Sequence, residues 1–158
     1  MIGTKIYKTD MSNYTECAIW CNQNKATIED RGDYYEVVAL PPPTLEEIKQ
    51  HKIAELKAQR DAAEVEPIEY QGYSFDYDSK ARDRISAAIV ALEVAGASAT
   101  LTWTTADNRD VKVTASDLRA IIAQVALRSD KLHTAYRKAK EKVETATTKE
   151  EVEAINLF

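Results

Sequence analysis

Two histidines and two cysteines are the side chains best suited to acid–base, nucleophilic or metal chemistry in this sequence. Neither His51 nor His133 has a serine, cysteine or aspartate in an arrangement typical of a catalytic site. Cys17 and Cys21 lie four residues apart in a predicted helix, which is a poor geometry for a disulfide, and two thiols alone do not complete a zinc site. We therefore predict surface histidines, structural cysteines, and no catalytic, metal or cofactor site.

Acidic residues and glycines lead to the same expectation. Asp76 and Asp78 precede a predicted helix, where acidic side chains are favoured, and together with Asp83 they do not form the pattern of a calcium loop. The four glycines are too scattered to assemble a phosphate-binding loop. The adhesion-like tripeptide Arg31-Gly32-Asp33 falls in a predicted hairpin turn, and we interpret it as that turn.

Composition and charge favour a folded, non-nucleic-acid-binding protein. Of 158 residues, 44% are apolar, which is enough to build a core, and the formal net charge is -5. A surface of this charge repels a phosphate backbone, so we expect no nucleic-acid partner. No stretch approaches the roughly 20 apolar residues of a membrane span or has the apolar core of a signal peptide, which predicts no membrane partner and a cytosolic location.

The run Pro41-Pro42-Pro43 predicts a domain boundary. Proline lacks the donor N–H and restrains the preceding residue to extended conformations, so neither a helix nor a strand ladder continues through it. We predict a small module at residues 1–40, a proline-rich linker at 41–44, and a larger domain at 45–158. The first module has a strand at 4–8, a helix that Ser12 caps and that runs to Asn24, and strands at 26–29 and 34–39, which gives a β-α-β-β order.

The larger domain alternates helices and hairpins. Capping signals and apolar periodicity predict, in order, a helix at 44–65, a hairpin at 68–77, a helix that Asp78 or Ser79 caps and Gly96 ends, and a hairpin at 100–113. A long helix at 114–143, which Thr114 and Asp117 can cap, and a short helix from Thr148 follow. Because strands occur only in hairpins, the expected fold class is α+β. We expect the 78–96 helix to be central, since Val90, Ala91 and Val94 make its second half apolar on all sides.

The helix at 45–65 carries a thin apolar stripe: Leu45, Ile48, Ile53, Leu56 and Ala63. Charged and polar residues intrude on the same arc. Two interpretations follow, a half-exposed helix within its own domain or a narrow seam that pairs with another copy to form a homo-oligomer.

Aromatic residues crowd the two hairpins, where most should pack in the core and across strands. A subset on an exposed face would bind a protein or stack on a glycan. The candidate partner-contact residues of the whole chain are Trp20, Tyr34, Tyr35, Leu45, Ile48, Leu56, Tyr73 and Trp103.

Three motifs resemble an uncharacterised domain common in bacteriophage and prophage tail proteins: Tyr70-Gln71-Gly72-Tyr73-Ser74-Phe75-Asp76, Arg84-Ile85-Ser86-Ala87-Ala88 and Trp103-Thr104-Thr105-Ala106-Asp107-Asn108. The likeness extends to Val111, Val113, the run 114–118 and His133, and covers about residues 50–156. The N-terminal segments 18–22 and 27–36 are similar to the start of small phage tail-fibre assembly proteins.

This resemblance implies a non-enzymatic phage tail protein, either a tail-fibre assembly chaperone or an accessory tail component that binds the fibre. Its implied partner is the tail fibre or another tail protein. The implied location is the cytoplasm of the bacterial host during assembly, with retention in the virion tail as a further option. The alternative is a receptor-binding or glycan-binding tail module in which the tyrosine hairpin and Trp103 stack on sugar.

Overall fold

A computed structural model describes every residue from Met1 to Phe158 and divides the chain into two compact units, Met1–Thr44 and Leu45–Phe158. We call them unit 1 and unit 2. The fold class is mixed α+β, as the sequence predicts, with five helices and seven short strands.

Unit 1 has the predicted β-α-β-β order. Its elements are β1 (Lys5–Tyr7), α1 (Tyr14–Gln23), β2 (Ala26–Asp30) and β3 (Tyr34–Ala39). The strands form an antiparallel sheet in the order β1-β3-β2. Arg31-Gly32-Asp33 forms the β2–β3 turn, in which Gly32 has a φ of +91° and its N–H donates to Asp30 Oδ1 at 2.8 Å. Glycine suits this turn because it adopts positive φ without a steric cost.

One face of this sheet packs against α1. The buried side chains are Ile6, Cys17, Cys21, Ala26 and Val37. Both cysteines are free, and burial is the main cause that raises the pKa of the Cys17 thiol. The predicted helix cap at Ser12 is wrong: Asn13 occupies the cap position, and the Ser12 N–H donates to Asp10 Oδ1 at 3.1 Å instead.

Unit 2 contains the remaining elements. They are α2 (Leu45–Glu64), β4 (Ile68–Tyr70), β5 (Tyr73–Phe75), α3 (Ser79–Ala95), β6 (Leu101–Thr104), β7 (Asp110–Val113), α4 (Ala115–Thr145) and α5 (Lys149–Glu153). The β4–β5 and β6–β7 hairpins are two separate two-stranded sheets. A backbone hydrogen bond from Ala106 N to Ser74 O, at 2.8 Å, links them.

The 31-residue helix α4 is central to unit 2. Its N-terminal half contributes Leu118, Ile121 and Val125 to a cluster with α3 and both hairpins, and its C-terminal half contributes Ala139 and Val143 to a cluster with α2 and α5. The expectation that α3 is central is wrong, because Val90 and Val94 are 62% and 86% exposed. Only one face of α3 is buried, and its apolar composition on other sides does not alter that packing.

Helix α2 lies within its own unit. Its apolar stripe packs against α4 and α5, which agrees with the half-exposed interpretation. Arg128 of α4 caps the end of α2: Nη2 donates to the carbonyl oxygen of Glu64 and Nη1 to that of Glu66, both at 2.7 Å. A cation at this position satisfies carbonyls that have no partner within the helix.

The start of α4 is fixed by a capping box, as predicted from Thr114 and Asp117. Asp117 Oδ2 accepts from the Thr114 N–H at 2.8 Å and from the Thr114 hydroxyl at 2.7 Å, and Oδ1 accepts from the Tyr70 hydroxyl at 3.0 Å. These hydrogen bonds, first of all those from Thr114, hold the pKa of Asp117 below its ordinary value of 3.8. One carboxylate therefore joins the β4–β5 hairpin to the start of α4.

We expect Asp117→Asn to lower the free energy of unfolding of unit 2 by about 1 kcal/mol at neutral pH, because the charged cap is lost. A carboxyl whose folded pKa is lowered stabilises fully above its unfolded value and loses that effect as pH falls through the folded value. The difference between wild type and variant, measured by urea unfolding, should therefore shrink below about pH 4. Asp130→Asn, at an exposed position on α4, is the control; a pH-independent difference for Asp117→Asn would contradict the assignment.

Candidate functional site

The aromatic hairpins of unit 2 are engaged within the unit. Trp103 is buried, and the Arg84 guanidinium carbon lies 4.7 Å from its ring centroid. Tyr73 is half-buried with Arg109 at 4.9 Å from its ring. Stacking on a glycan needs an accessible ring face, so the surroundings of Trp103 do not favour the sugar-binding alternative.

The tryptophan motif has a structural use in the β6–β7 turn. Thr105 is buried, and its hydroxyl lies 2.6 Å from Asp107 Oδ1 while accepting from the Arg109 N–H at 3.0 Å. Arg109 Nε also pairs with Asp107 at 2.6 Å. The hydrogen bond from Thr105, and then the hydrogen bond and the charge of Arg109, lower the pKa of Asp107. The Asp107 carboxylate therefore accepts hydrogen bonds from side chains at both ends of the turn and stabilises the turn.

A second polar cluster joins α2 to α4. Glu64 Oε1 accepts from the Ser129 hydroxyl and pairs with His133 Nε2, each at 2.8 Å. A nucleophilic serine would direct its proton to the imidazole, whereas this serine directs it to the carboxylate. The arrangement therefore fixes the two helices, and it gives His133 a partner that the sequence did not predict.

Three predicted contact residues on α2 belong to the core of unit 2. Leu56 is completely buried, and Leu45 and Ile48 are half-buried around the same cluster as Val143 and Val152. Their stripe is covered by α4 and α5 rather than free to pair with another copy.

Two predicted contact residues of unit 1 lie on the core side of the sheet. Trp20 and Tyr35 are half-buried against the α1 cluster, and Tyr35 meets Tyr14 edge-on with ring centroids 5.6 Å apart. Lys8 closes this side, with Nζ 5.0 Å from the Tyr35 ring and 2.8 Å from Asp30 Oδ2. The hydrogen bond between them is the largest cause that raises the pKa of Lys8 and lowers that of Asp30.

The other side of this sheet carries no helix, and we call it the open sheet face. It is made by the alternate residues Lys5, Tyr7, Thr27, Glu29, Tyr34, Glu36 and Val38. Tyr7 and Tyr34 are opposite each other on β1 and β3, with ring centroids 5.8 Å apart, and Lys5 Nζ lies 4.5 Å from the Tyr34 ring. Tyr7 is 54% exposed.

Both carboxylates of the open sheet face are paired with the same arginine. Arg31 reaches back from the turn to Glu29 at 2.8 Å and to Glu36 at 3.1 Å. The face therefore presents two adjacent tyrosines beside an arginine that is paired with two glutamates. Aromatic residues with a polar surround are enriched at protein–protein interfaces, so this arrangement suits binding to another polypeptide.

Of the eight predicted contact residues, Tyr34 alone lies on the open sheet face. Sequence reasoning missed Tyr7, its neighbour. The alternation Lys5-Ile6-Tyr7 is the signal that was present: if Ile6 points to the core, then Tyr7 must point away from it. Pairing with Tyr34 depends on the β1–β3 register, which no local pattern encodes.

No helix is both long and apolar enough to cross a bilayer. No three histidine, cysteine, aspartate or glutamate side chains are grouped so that they could hold a metal ion.

Comparison with known families finds one match. Residues 47–156, which run from the first turn of α2 to just beyond the end of α5, match the family described as Domain of unknown function (DUF4376). Neither the curated proteins nor the solved structures include a match to this chain.

We expect Leu56→Ala to lower the free energy of unfolding of unit 2 by about 2–5 kcal/mol, because it opens a cavity among α2, α4 and α5. Lys57→Ala, at the next and exposed position, should change it by less than about 0.5 kcal/mol. Urea unfolding followed by far-UV circular dichroism checks both values. A Leu56→Ala protein as stable as wild type would mean that this side chain is not a core residue.

Proposed function

We propose that this chain, which belongs to the DUF4376 family, is a non-enzymatic protein-binding component of a phage tail: a tail-fibre assembly chaperone or an accessory tail protein that binds the fibre. The family description names no activity. The phage context comes from the resemblance of the hairpin motifs at residues 70–76 and 103–108 to phage and prophage tail proteins. The likeness of residues 18–22 and 27–36 to fibre-assembly proteins supplies the proposed partner.

The open sheet face is the single observation that carries the binding role. Its two tyrosines lie 5.8 Å apart and present aromatic area beside charges that already have partners. A docking polypeptide would bury the rings without leaving Arg31 unpaired, because Glu29 and Glu36 remain bonded to it. Burial of two aromatic side chains is the typical energetic centre of a protein interface.

The rest of the chain supports the same proposal. Trp103, Asp107 and Glu64 each contact neighbouring side chains of unit 2, so each of the three clusters has a structural role there. We therefore propose that unit 2 is a folded body with its own contacts to the fibre or to another tail protein.

The test is co-expression of the full chain with the tail-fibre protein of the same phage or prophage, followed by gel filtration and affinity capture. We expect a stable complex, and we expect the double variant Tyr7→Ser with Tyr34→Ser to bind at least about 10-fold more weakly, because two central aromatic contacts are lost. Tyr7 is exposed but Tyr34 is half-buried, so the thermal unfolding midpoint of the variant is measured as well, and binding is compared at a temperature where both proteins are folded.

Ile19→Ser is the matched control for this test. Ile19 is 55% exposed, close to the value for Tyr7, but it lies on α1 at the opposite side of unit 1. This variant should bind like wild type. A fibre that trimerises equally well alone, with no complex on gel filtration, would refute the fibre-binding role; equal loss in both variants would refute the open sheet face as its surface.

A further inference from the structure

The sheet of unit 1 has two edges, and they differ. In the order β1-β3-β2, only β3 is paired on both sides, so β1 and β2 each have one row of backbone groups with no strand beside it. Such a row of N–H and C=O groups is a template for another strand, and proteins usually shorten, bend or cover it. β1 is protected in this way, because it has three residues and the Tyr7 carbonyl accepts from the Asp10 N–H at 2.8 Å.

The longer edge, β2, has five residues and lacks these protections. Its pairing with β3 is continuous over Ala26–Asp30, without a bulge, proline or glycine. Two hydrogen bonds that flank the ladder show which positions face β3. The Leu40 N–H donates to the carbonyl oxygen of Lys25 at 2.9 Å, and the Arg31 N–H donates to that of Tyr34 at 2.8 Å. Positions 25 and 31 therefore bond to β3.

The alternation of an antiparallel ladder then assigns every residue of β2 to one side. Thr27 and Glu29 bond to β3, whereas Ala26, Ile28 and Asp30 direct their N–H and C=O groups away from it. Ala26 is buried, Ile28 is half-buried and Asp30 is exposed. The accessible edge therefore runs from Ile28 to Asp30 and presents two donors and two acceptors, with the two residues about 7 Å apart along the strand.

The charges of β2 and its flanking residues do not select a partner of either sign. Two cations, Lys25 and Arg31, balance two carboxylates, Glu29 and Asp30. Both carboxylates are already paired, Glu29 with Arg31 and Asp30 with Lys8, each at 2.8 Å. Recognition at this edge therefore depends on the main chain, and the binder that matches a row of backbone donors and acceptors is an extended polypeptide.

A second copy of the chain is a poor occupant of this edge. Outward-facing residues must pair with one another, so two antiparallel β2 strands would have their two-fold axis at residue 27, 28 or 29. An axis at 28 places Arg31 opposite Lys25 of the other copy, and an axis at 29 places Glu29 opposite Glu29, and like charges directly opposite are destabilising. An axis at 27 needs pairing through Ala26, which is only 7% exposed.

We propose that an extended segment of the tail-fibre protein adds to this sheet as a fourth strand beside β2 and bonds to the backbone groups of Ile28 and Asp30. The inference rests on the proposed function and specifies how the fibre is held. Side chains of the added strand alternate, so every second one lies beside Thr27 or Glu29 on the open sheet face. Backbone pairing then fixes the register of the segment, and the tyrosines of the same face supply aromatic contact.

Hydrogen–deuterium exchange at single amides tests the added strand, with the full chain free and in complex with the fibre. We expect the amides of Ile28 and Asp30 to exchange at least about 10-fold more slowly in the complex, because each then donates to the fibre segment. The amides of Thr27 and Glu29 are the controls, since they are bonded to β3 in both states and should change little.

Three outcomes would overturn the added strand. A stable complex in which Ile28 and Asp30 exchange as fast as in the free chain would leave fibre binding intact but remove this mode of it. Equal slowing at all four amides would mean general stabilisation of unit 1. Slowing that appears in the free chain as its concentration rises would mean that a second copy occupies the edge. Absence of any complex would refute fibre binding and the added strand together.

A substitution in β2 provides the second test. Ile28→Pro removes an outward N–H and leaves the bonds to β3 in place, because an edge strand tolerates proline where its nitrogen faces solvent. Ile28→Ala is the matched control, since it shortens the side chain and keeps the N–H. Among folded proteins, checked by circular dichroism, we expect Ile28→Pro to bind the fibre at least about 5-fold more weakly than Ile28→Ala. Equal binding would overturn the proposal, and the exchange measurement on wild type does not depend on the variant folding.

Discussion

The apolar stripe of α4 is the feature on which unit 2 depends. This one continuous helix supplies buried side chains to two separate clusters. It therefore positions α2, α3, α5 and both hairpins. Each fully buried aliphatic side chain stabilises by about 1.5–3 kcal/mol, and none of the surrounding elements has enough apolar surface to form a core alone. Polar contacts then fix details: Arg128 at the end of α2, and Asp117 between the first hairpin and α4.

Motif residues that attract attention for chemistry serve this architecture. Trp103 fills the first cluster under Arg84, and Thr105 with Asp107 closes the turn that follows it. Glu64 gathers Ser129 and His133 at the crossing of two helices. Each of these groups forms its hydrogen bonds, or packs its ring, inside unit 2. Such residue types therefore have a structural role at these positions.

Unit 1 differs in that only one face of its sheet is covered by a helix. A three-stranded sheet with one helix can cover only one of its faces, and alternation along each strand assigns every second residue to the uncovered side. That geometry brings Tyr7 and Tyr34 together, with Tyr7 exposed and Tyr34 half-buried. The surface follows from the small size of the unit, and it is where we place recognition of a partner.

The sequence by itself determined the α+β class, the β-α-β-β order, and every helix and hairpin within a few residues, because caps, turns and periodicity are local signals. It also determined the capping box of Thr114 and Asp117. Only the tertiary structure decided which apolar faces are covered. Val94 and Leu56 look equally suited to a core, yet α4 buries the second and leaves the first exposed. The pairing of Tyr7 with Tyr34 and the assignment of Trp20 and Tyr35 to the core side likewise depend on packing between residues distant in sequence, which no local pattern contains.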